Sequence, residues 1–440
     1  MALGFKRRKS RRSAAPEAPR IQLSGAALAK YAVIAVLGLI GAWFAFALAV
    51  SGIARSKAPD RALAFVPSEG NALANKADIA LLSGKKIPAK VLANTARASL
   101  RSAPLNPKAV RLLAISAAMD GDEDRASKLV HKAAALTRRD ALTHVFLIEE
   151  AARRDDLKTA LVHYDLALRT SSIAPQILFP RLLKAIELPE VRTALRPYMR
   201  DGEQWTTDFV NFSKDQGKDL TALVDLMLET GGSPDPATAR ALRANVVSAL
   251  NDRQQYTQIA RLLRPAPGGT AALTGVGLET LDQTKGLGPA GWQLLNDAEV
   301  GASGQVDAKA ATMTIYANPE TSRPVARKLL LLSPGRYRFS FRLAPLDRGE
   351  GGAIGWHLRC IQPKVSTLWR LDGVMASGSA EWNVGQGCPV QLLEIVATGG
   401  RGQTGMEAVL SDVALARSGA RASPRSGERV VDKAAQRPDT

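Results

Sequence analysis

The chain has 440 residues, a formal net charge of +18, 46 % apolar residues, four histidines and two cysteines. That length holds two or three domains, and so few histidines and cysteines leave little material for a His/Cys metal centre. The positive balance favours anionic partners: lipid headgroups, acidic polysaccharide or nucleic acid.

Residues 1–30 form a basic leader in which Lys6, Arg7, Arg8, Lys9, Arg11, Arg12, Arg20 and Lys30 face one acid, Glu17. Residues 31–54, YAVIAVLGLIGAWFAFALAVSGIA, carry no charge. At about 1.5 Å per residue such a helix crosses a hydrocarbon core of roughly 30 Å. A single-pass transmembrane helix is expected here, with the N-terminus cytoplasmic by the positive-inside rule. A cleaved signal peptide processed near Ala47-Leu48-Ala49 is the competing reading. Either way the bulk of the chain lies outside the cytoplasm. The Ala/Arg-rich composition goes with a bacterial source, so the expected setting is the inner membrane with the bulk periplasmic. Much of the positive charge stays in the leader, so nucleic acid is not an expected partner.

Residues 58–265 show apolar positions at helical spacing. Breaks are read at Pro88, Pro104, Pro107, Gly121, Pro175, Pro180, Pro189, Pro197, Gly231-Gly232 and Pro234, which cut the region into short helices. GDEDRASKLVHKAA, 121–134, clusters Asp122, Glu123 and Asp124 with His131, the outline of a metal or acid–base site. A shift of 34 residues changes that reading. Ala126, Val130 and Ala133 fall on Ala160, Tyr164 and Ala167, while Gly121 and Asp122 fall on Asp155 and Asp156. The acids then cap helix starts, and Glu149-Glu150 read as surface charge. With Leu113, Ala114 and Leu147 on the preceding helices, this pattern resembles tetratricopeptide repeats. The resemblance implies an α-solenoid of helix pairs, packed closely where the residues are small, that binds protein partners.

Residues 266–275 are read as a Pro/Gly linker. After it the period changes to two. GRYRFSFRLAP, 335–345, alternates Tyr337, Phe339, Phe341 and Leu343 with Arg336, Arg338, Ser340 and Arg342, the pattern of a half-buried strand. Further strands are read at ATMTIYA, PVARKLLLLS, AIGWHLRCI, VQLLEIVAT and MEAVLSDVALA. Seven to nine short strands over 276–417 predict an antiparallel β-sandwich. LLLLSPGRYRFSFRLAP and the closing SDVALA resemble the galactose-binding-like jelly rolls that include carbohydrate-binding modules. Residues 418–440 are read as a disordered basic tail. The expected fold is thus multidomain α + β: one transmembrane helix, a tetratricopeptide-like solenoid and a C-terminal jelly-roll sandwich.

Cys360 and Cys388 flank predicted strands of one domain in an oxidising compartment, which favours a disulfide over two free thiols. Arg336, Arg338, Arg342, His357 and Arg359, with Trp369, Arg370 and Trp382 nearby in sequence, make a candidate face for an anionic glycan if their strands are neighbours. Guanidinium groups bind carboxylates bidentately and aromatic rings stack on sugars. No nucleophile elbow, HExxH or phosphate-loop pattern is present, and no catalytic residue, metal ligand or cofactor is assigned. The expectation is a membrane-anchored scaffold that joins envelope proteins to a glycan, in polysaccharide assembly or export. An envelope glycan hydrolase or lyase with the sandwich as its catalytic domain is the alternative.

Overall fold

The computed structural model describes residues 25–418, apart from 282–285, 308–309, 349, 375 and 402–403. Most of the basic leader and nearly all of the C-terminal tail therefore lie outside the described residues. Fifteen α-helices precede ten strands among those described. The chain divides into two compact units, residues 1–150 and 151–440.

The first unit opens with α1, Gly25–Ala54, whose stretch Ala29–Ala54 is long and apolar enough to cross a membrane. Then come α2 (Pro59–Phe65), α3 (Gly70–Leu82), α4 (Ala89–Ser102), α5 (Pro107–Met119), α6 (Glu123–Leu136) and α7 (Ala141–Arg153), the last reaching into the second unit. The second unit continues with α8 (Leu157–Thr170), α9 (Ala174–Ala185), α10 (Pro189–Asp201), α11 (Gln204–Gln216), α12 (Thr221–Thr230), α13 (Pro236–Asp252), α14 (Tyr256–Leu263) and α15 (Gly269–Thr274). From α8 to α14 helices also pack on the next but one, as stacked hairpins do.

The 34-residue register is visible in local geometry. Starts at Ala89, Glu123 and Leu157 are 34 apart, and so are Pro107 and Ala141. Gly121 and Asp155 both take positive φ, 81° and 55°. The following aspartates have nearly the same backbone (φ −87° in both) and both cap: Asp122 accepts from Arg125 N at 3.1 Å and Asp156 from Thr159 N at 3.0 Å. Ala114, Ala126, Val130, Ala133, Leu147, Ala160, Tyr164 and Ala167 are all buried, and Leu113 is half-buried. The acidic cluster is thus helix-start chemistry.

Three readings need correction. Pro180 and Pro197 lie inside α9 and α10 instead of ending them. A proline there costs about 3 kcal/mol, but Leu178, Phe179 and Leu182 in α9 and Leu195 and Met199 in α10 are buried, each contributing about 1.5–3 kcal/mol. Glu150 is not surface charge: it is 5 % exposed, accepts from Ser127 Oγ at 2.6 Å and lies 3.3 Å from His131 Nε2. The supposed linker holds α15, with Ala272 and Leu273 buried. A Cβ on Gly269 would lie 1.8 Å from the Leu263 carbonyl oxygen, so that glycine serves close approach, not flexibility.

The strands are β1 (Gln293–Leu294), β2 (Val300–Val306), β3 (Ala311–Ala317), β4 (Ser322–Leu330), β5 (Gly335–Arg348), β6 (Ala353–Gln362), β7 (Ser366–Val374), β8 (Gly378–Val384), β9 (Val390–Thr398) and β10 (Met406–Arg417). They form two five-stranded antiparallel sheets, β1-β4-β9-β6-β7 and β2-β3-β10-β5-β8. Tyr337, Phe339, Phe341 and Leu343 from the second sheet meet Ile354, Trp356, Leu358, Leu393 and Ile395 from the first in one core. Phe339 and Trp356 meet edge to face with centroids 4.7 Å apart.

Cys360 on β6 and Cys388 ahead of β9 form the disulfide, with Cα atoms 5.6 Å apart and 28 residues between them in sequence. Closing a loop of that length stabilises by about 3–4 kcal/mol in the chain-entropy treatment. The double variant Cys360→Ala/Cys388→Ala is therefore expected to unfold at lower urea concentration by that amount. An unmoved midpoint would show that the crosslink adds nothing to the folded sandwich.

Candidate functional site

The outer face of the first sheet carries a groove of about 690 Å³. Its floor follows from strand alternation. On β6, Ile354, Trp356, Leu358 and Cys360 point into the core, so Gly355, His357 and Arg359 point out. His357 stands directly opposite Glu394 of β9 on one side and Arg370 of β7 on the other. Opposed residues share a face, so these three strands place His357, Glu394 and Arg370 in one row. Ser322 and Pro324 of β4 and Thr398 of β9 complete one end.

β7 is shaped to fit. Its register with β6 shifts between Ile354 and Trp356, and again between Leu358 and Arg359. Each shift leaves an extra residue on β7, and such bulges re-aim side chains. Gly373 takes φ 72° at the first of them, which suits glycine alone without strain. The result turns Asp372 toward His357.

The charged groups then lock one another. His357 Nε2 lies 2.8 Å from Asp372 Oδ1, and Arg370 Nε donates to Asp372 Oδ2. The hydrogen bond from His357, with Arg370 behind it, holds the Asp372 carboxyl below the usual carboxylate range. Arg359 Nη2 donates to Glu394 Oε2, while the buried Arg359 Nε has no partner among the described residues. Ser322 and Thr398 share a 2.9 Å hydroxyl contact at the rim. Gly355 leaves the floor open; a Cβ there would meet Asp372 Oδ1 at 3.0 Å. Two guanidinium groups, two carboxylates and an imidazole thus stand pre-oriented over a flat backbone floor. The positive and negative charges of the groove balance, so it is a donor–acceptor surface more than a cationic one.

The face expected from the sequence does not exist as one surface. Arg336, Arg338 and Arg342 lie on β5 in the second sheet, whereas His357 and Arg359 lie on β6 in the first. The two outer faces of a sandwich point in opposite directions. Arg338 pairs with Glu381 at 3.0 Å and Arg342 with Asp412 at 3.2 Å, cross-strand pairs on a solvated face. Trp382 is buried, and the half-buried Trp369 stacks on it at 4.8 Å, closing the edge between β7 and β8. Neither ring is a free platform. Of these candidates the groove keeps His357 and Arg359.

Arg370, noted beside the two tryptophans in the sequence, joins His357 and Arg359 in the groove, whereas Asp372 and Glu394 are new. A signal for each was present. In LWRLD, Trp369 and Leu371 alternate with Arg370 and Asp372, a short strand pattern. Glu394 interrupts the apolar run VQLLEIVAT, and a lone acid in such a run needs a partner.

No family model matches the sequence, and no curated protein is similar to it. Some solved structures match part of the chain at low TM-score. The module TmCBM61, in complex with β-1,4-galactotriose, is 14 % identical over 29 % of this chain and 88 % of its own, with TM-score 0.21. A structure described as "CBM4 structure and function" is 15 % identical over 29 % and 88 %, with TM-score 0.22. The Clostridium thermocellum xylanase 10B modules complexed with xylohexaose are 12 % identical over 29 % and 26 %, with TM-score 0.21. The part of this chain that resembles carbohydrate-binding modules is its C-terminal jelly-roll region, and the likeness is one of fold.

Proposed function

We propose that this protein is a membrane-anchored binding protein of the bacterial envelope, whose sandwich takes an oligosaccharide in the groove between β4, β9, β6 and β7. In this reading α1 stays in the inner membrane with the basic leader cytoplasmic, and everything after it is periplasmic. The disulfide supports an oxidising compartment. The helix pairs are of tetratricopeptide type and hold a protein partner. Joining a glycan to an envelope protein fits a scaffold in polysaccharide assembly or export.

The observation that carries the glycan reading is the locked row Arg359–Glu394 and His357–Asp372–Arg370 over a flat floor. Carboxylates and guanidinium groups fixed in this way present acceptors and donors side by side, as sugar hydroxyls require. The volume lies within the range of about 300–1,000 Å³ usual for ligand clefts. Charge balance favours a neutral or weakly charged glycan over the strongly anionic one expected from the sequence.

The groove also holds two carboxylates, the observation that favours a hydrolase. Glycoside hydrolysis needs one of a pair protonated as the acid. Asp372 is held ionised by His357 and Arg370, and Glu394 is engaged by Arg359. That arrangement suits binding without turnover.

The test is a glycan array followed by calorimetry on the full-length protein in detergent. Asp372→Asn together with Arg370→Ala, both at exposed side chains, is expected to weaken binding of any array hit at least about tenfold, the cost of one or two charge-assisted hydrogen bonds, with the melting curve retained. Binding that survives in this variant overturns the groove. Release of reducing ends by the wild type overturns the non-enzymatic reading.

A further inference from the structure

A second cavity, of about 430 Å³, lies in the first unit between α2, α3 and α4. Its walls are apolar: Leu63 from α2, Leu73 and Ala77 from α3, Ile87 from the connection and Val91 from α4. Its rim is cationic, with Lys76, Lys85 and Lys86. Lys76 already pairs with Asp60 at 2.6 Å, so Lys85 and Lys86 supply the free charge. A tight C-terminal turn sets them there. Gly84 takes φ 77°, its N–H reaches Leu81 O, and Lys85 N–H reaches Ala80 O.

α2 links the groove to the apolar helix. α2 folds back along the last turns of α1, burying Ala47 and Ser51 of α1 under Pro59 and Ala62. At the far end of α2, Phe65 meets Trp43 and Phe46 at centroid distances of 6.3 and 5.9 Å. Leu63 of the groove lies two residues from Phe65, at nearly the same level along α2 but on its other side. Aromatic side chains gather at the boundary between hydrocarbon and headgroups. A boundary at Trp43–Phe46 leaves residues 29–46, about 27 Å of helix, to cross a core of roughly 30 Å, with Lys30 at the opposite end reaching the headgroups. The turns from Ala47 onward then belong to the folded unit, and the groove opens at headgroup depth.

We infer that this lysine-rimmed groove seats an anionic phospholipid of the bilayer that α1 crosses, its phosphate between Lys85 and Lys86 and the upper part of its chains against Leu63, Leu73 and Ile87, with Val91 at the exposed mouth. The inference rests on the anchor reading of α1. Phospholipid fits both halves of the site: apolar walls with a cationic rim, beside a helix apolar enough to lie in lipid. A juxtamembrane lysine gains from an anionic surface whichever leaflet supplies it. The seat would fix the first unit against the membrane instead of leaving it tethered at a distance.

The test uses the full-length chain, with Val91→Cys or Ile40→Cys carrying an environment-sensitive fluorophore, in nanodiscs that contain nitroxide-labelled lipid. Val91 is 51 % exposed and Ile40 48 %, so both accept a label. The expected result is several-fold stronger quenching at position 91 with phosphatidylglycerol present than with phosphatidylcholine alone. Lys85→Glu/Lys86→Glu should remove that difference and leave quenching at position 40 unchanged. Quenching at 40 without quenching at 91 overturns the lipid seat and keeps the anchor. No quenching at 40 overturns the anchor reading and the seat with it. Equal quenching at 91 in both lipids overturns the role of the lysines.

Discussion

Replacing Arg111 by methionine is expected to destabilise the first unit by about 3–5 kcal/mol, the range for leaving a buried charge without its partner. Arg111 is fully buried on α5. Its Nη2 lies 2.7 Å from Asp78 of α3 and its Nε 2.6 Å from Asp140, just ahead of α7. One guanidinium therefore ties α3, α5 and the start of α7. Thr143 adds a hydrogen bond to Asp140, and Lys108 stands 3.8 Å from Asp78. Burial pushes the Asp140 carboxyl up, but the charge and hydrogen bond of Arg111, helped by Thr143, outweigh it and hold it below the usual range. A carboxyl with a depressed folded pKa stabilises above its unfolded value, near 3.9, and loses that contribution as pH falls through the folded one. Without Arg111, burial is opposed only by the Thr143 hydrogen bond and the charge of Lys108, and the carboxyl shifts upward. The difference between wild type and Arg111→Met should therefore be largest near neutral pH and shrink toward pH 4, read from urea midpoints. Adding Asp78→Asn and Asp140→Asn to the variant should recover a good part of the loss. A difference that stays constant down to pH 4 would mean that the cost is one of packing.

The network also marks how far the sequence could be read. Spacing revealed the elements: the 34-residue register located α6 and α8, and alternation in GRYRFSFRLAP located β5 and its buried face. These are local properties, carried by residues a few positions apart. Arg111, Asp78 and Asp140 are 33 and 29 residues apart, and nothing in their immediate surroundings marks them as partners. The same holds for the groove. β5 and β6 follow one another in sequence, yet the chain crosses from one sheet to the other between them, so arginines only 17 residues apart, Arg342 and Arg359, face opposite ways. Which strands pair is fixed by core packing between sheets, and the bulges that aim Asp372 depend on register. Trp369 and Trp382 look like binding aromatics by type, but their apolar area is used to close a sheet edge. Glu150 shows the reverse: it sits beside a charged neighbour on a helix, yet Ser127 and His131 on the next helix take it inside.

Lys328 sets the second large effect. It lies on β4, fully buried, and its ammonium donates to Thr280 Oγ1 at 3.1 Å and to the carbonyl oxygen of Ala290. Those partners lie in the turns Leu278–Leu281 and Gly288–Ala290, and a Cβ on Gly288 would stand 3.2 Å from Val247 Cβ of α13. Within the second unit the lysine thus fixes the sandwich to the segment that packs on α13. Burial lowers its pKa from 10.5 to about 7, with only the charge of Glu279 acting the other way. A pKa depressed on folding means that the unfolded chain binds the proton more tightly. Stability should therefore rise with pH between about 7 and 10.5, and the penalty should be full below pH 7. A shift of that size corresponds to about 4–5 kcal/mol at roughly 1.4 kcal/mol per unit. Lys328→Met removes the penalty but leaves the Ala290 carbonyl without its donor, a loss of about 1–3 kcal/mol. Thr280 keeps its own bond to Gly277 O, 2.9 Å. The net expectation is a variant more stable than wild type at pH 6 by about 1–4 kcal/mol, less stable at pH 10.5, with the curves crossing between. Denaturant midpoints at half-unit pH steps read this directly. Parallel curves would mean that the ammonium stays fully charged in the folded state, with the two hydrogen bonds repaying the whole of its desolvation.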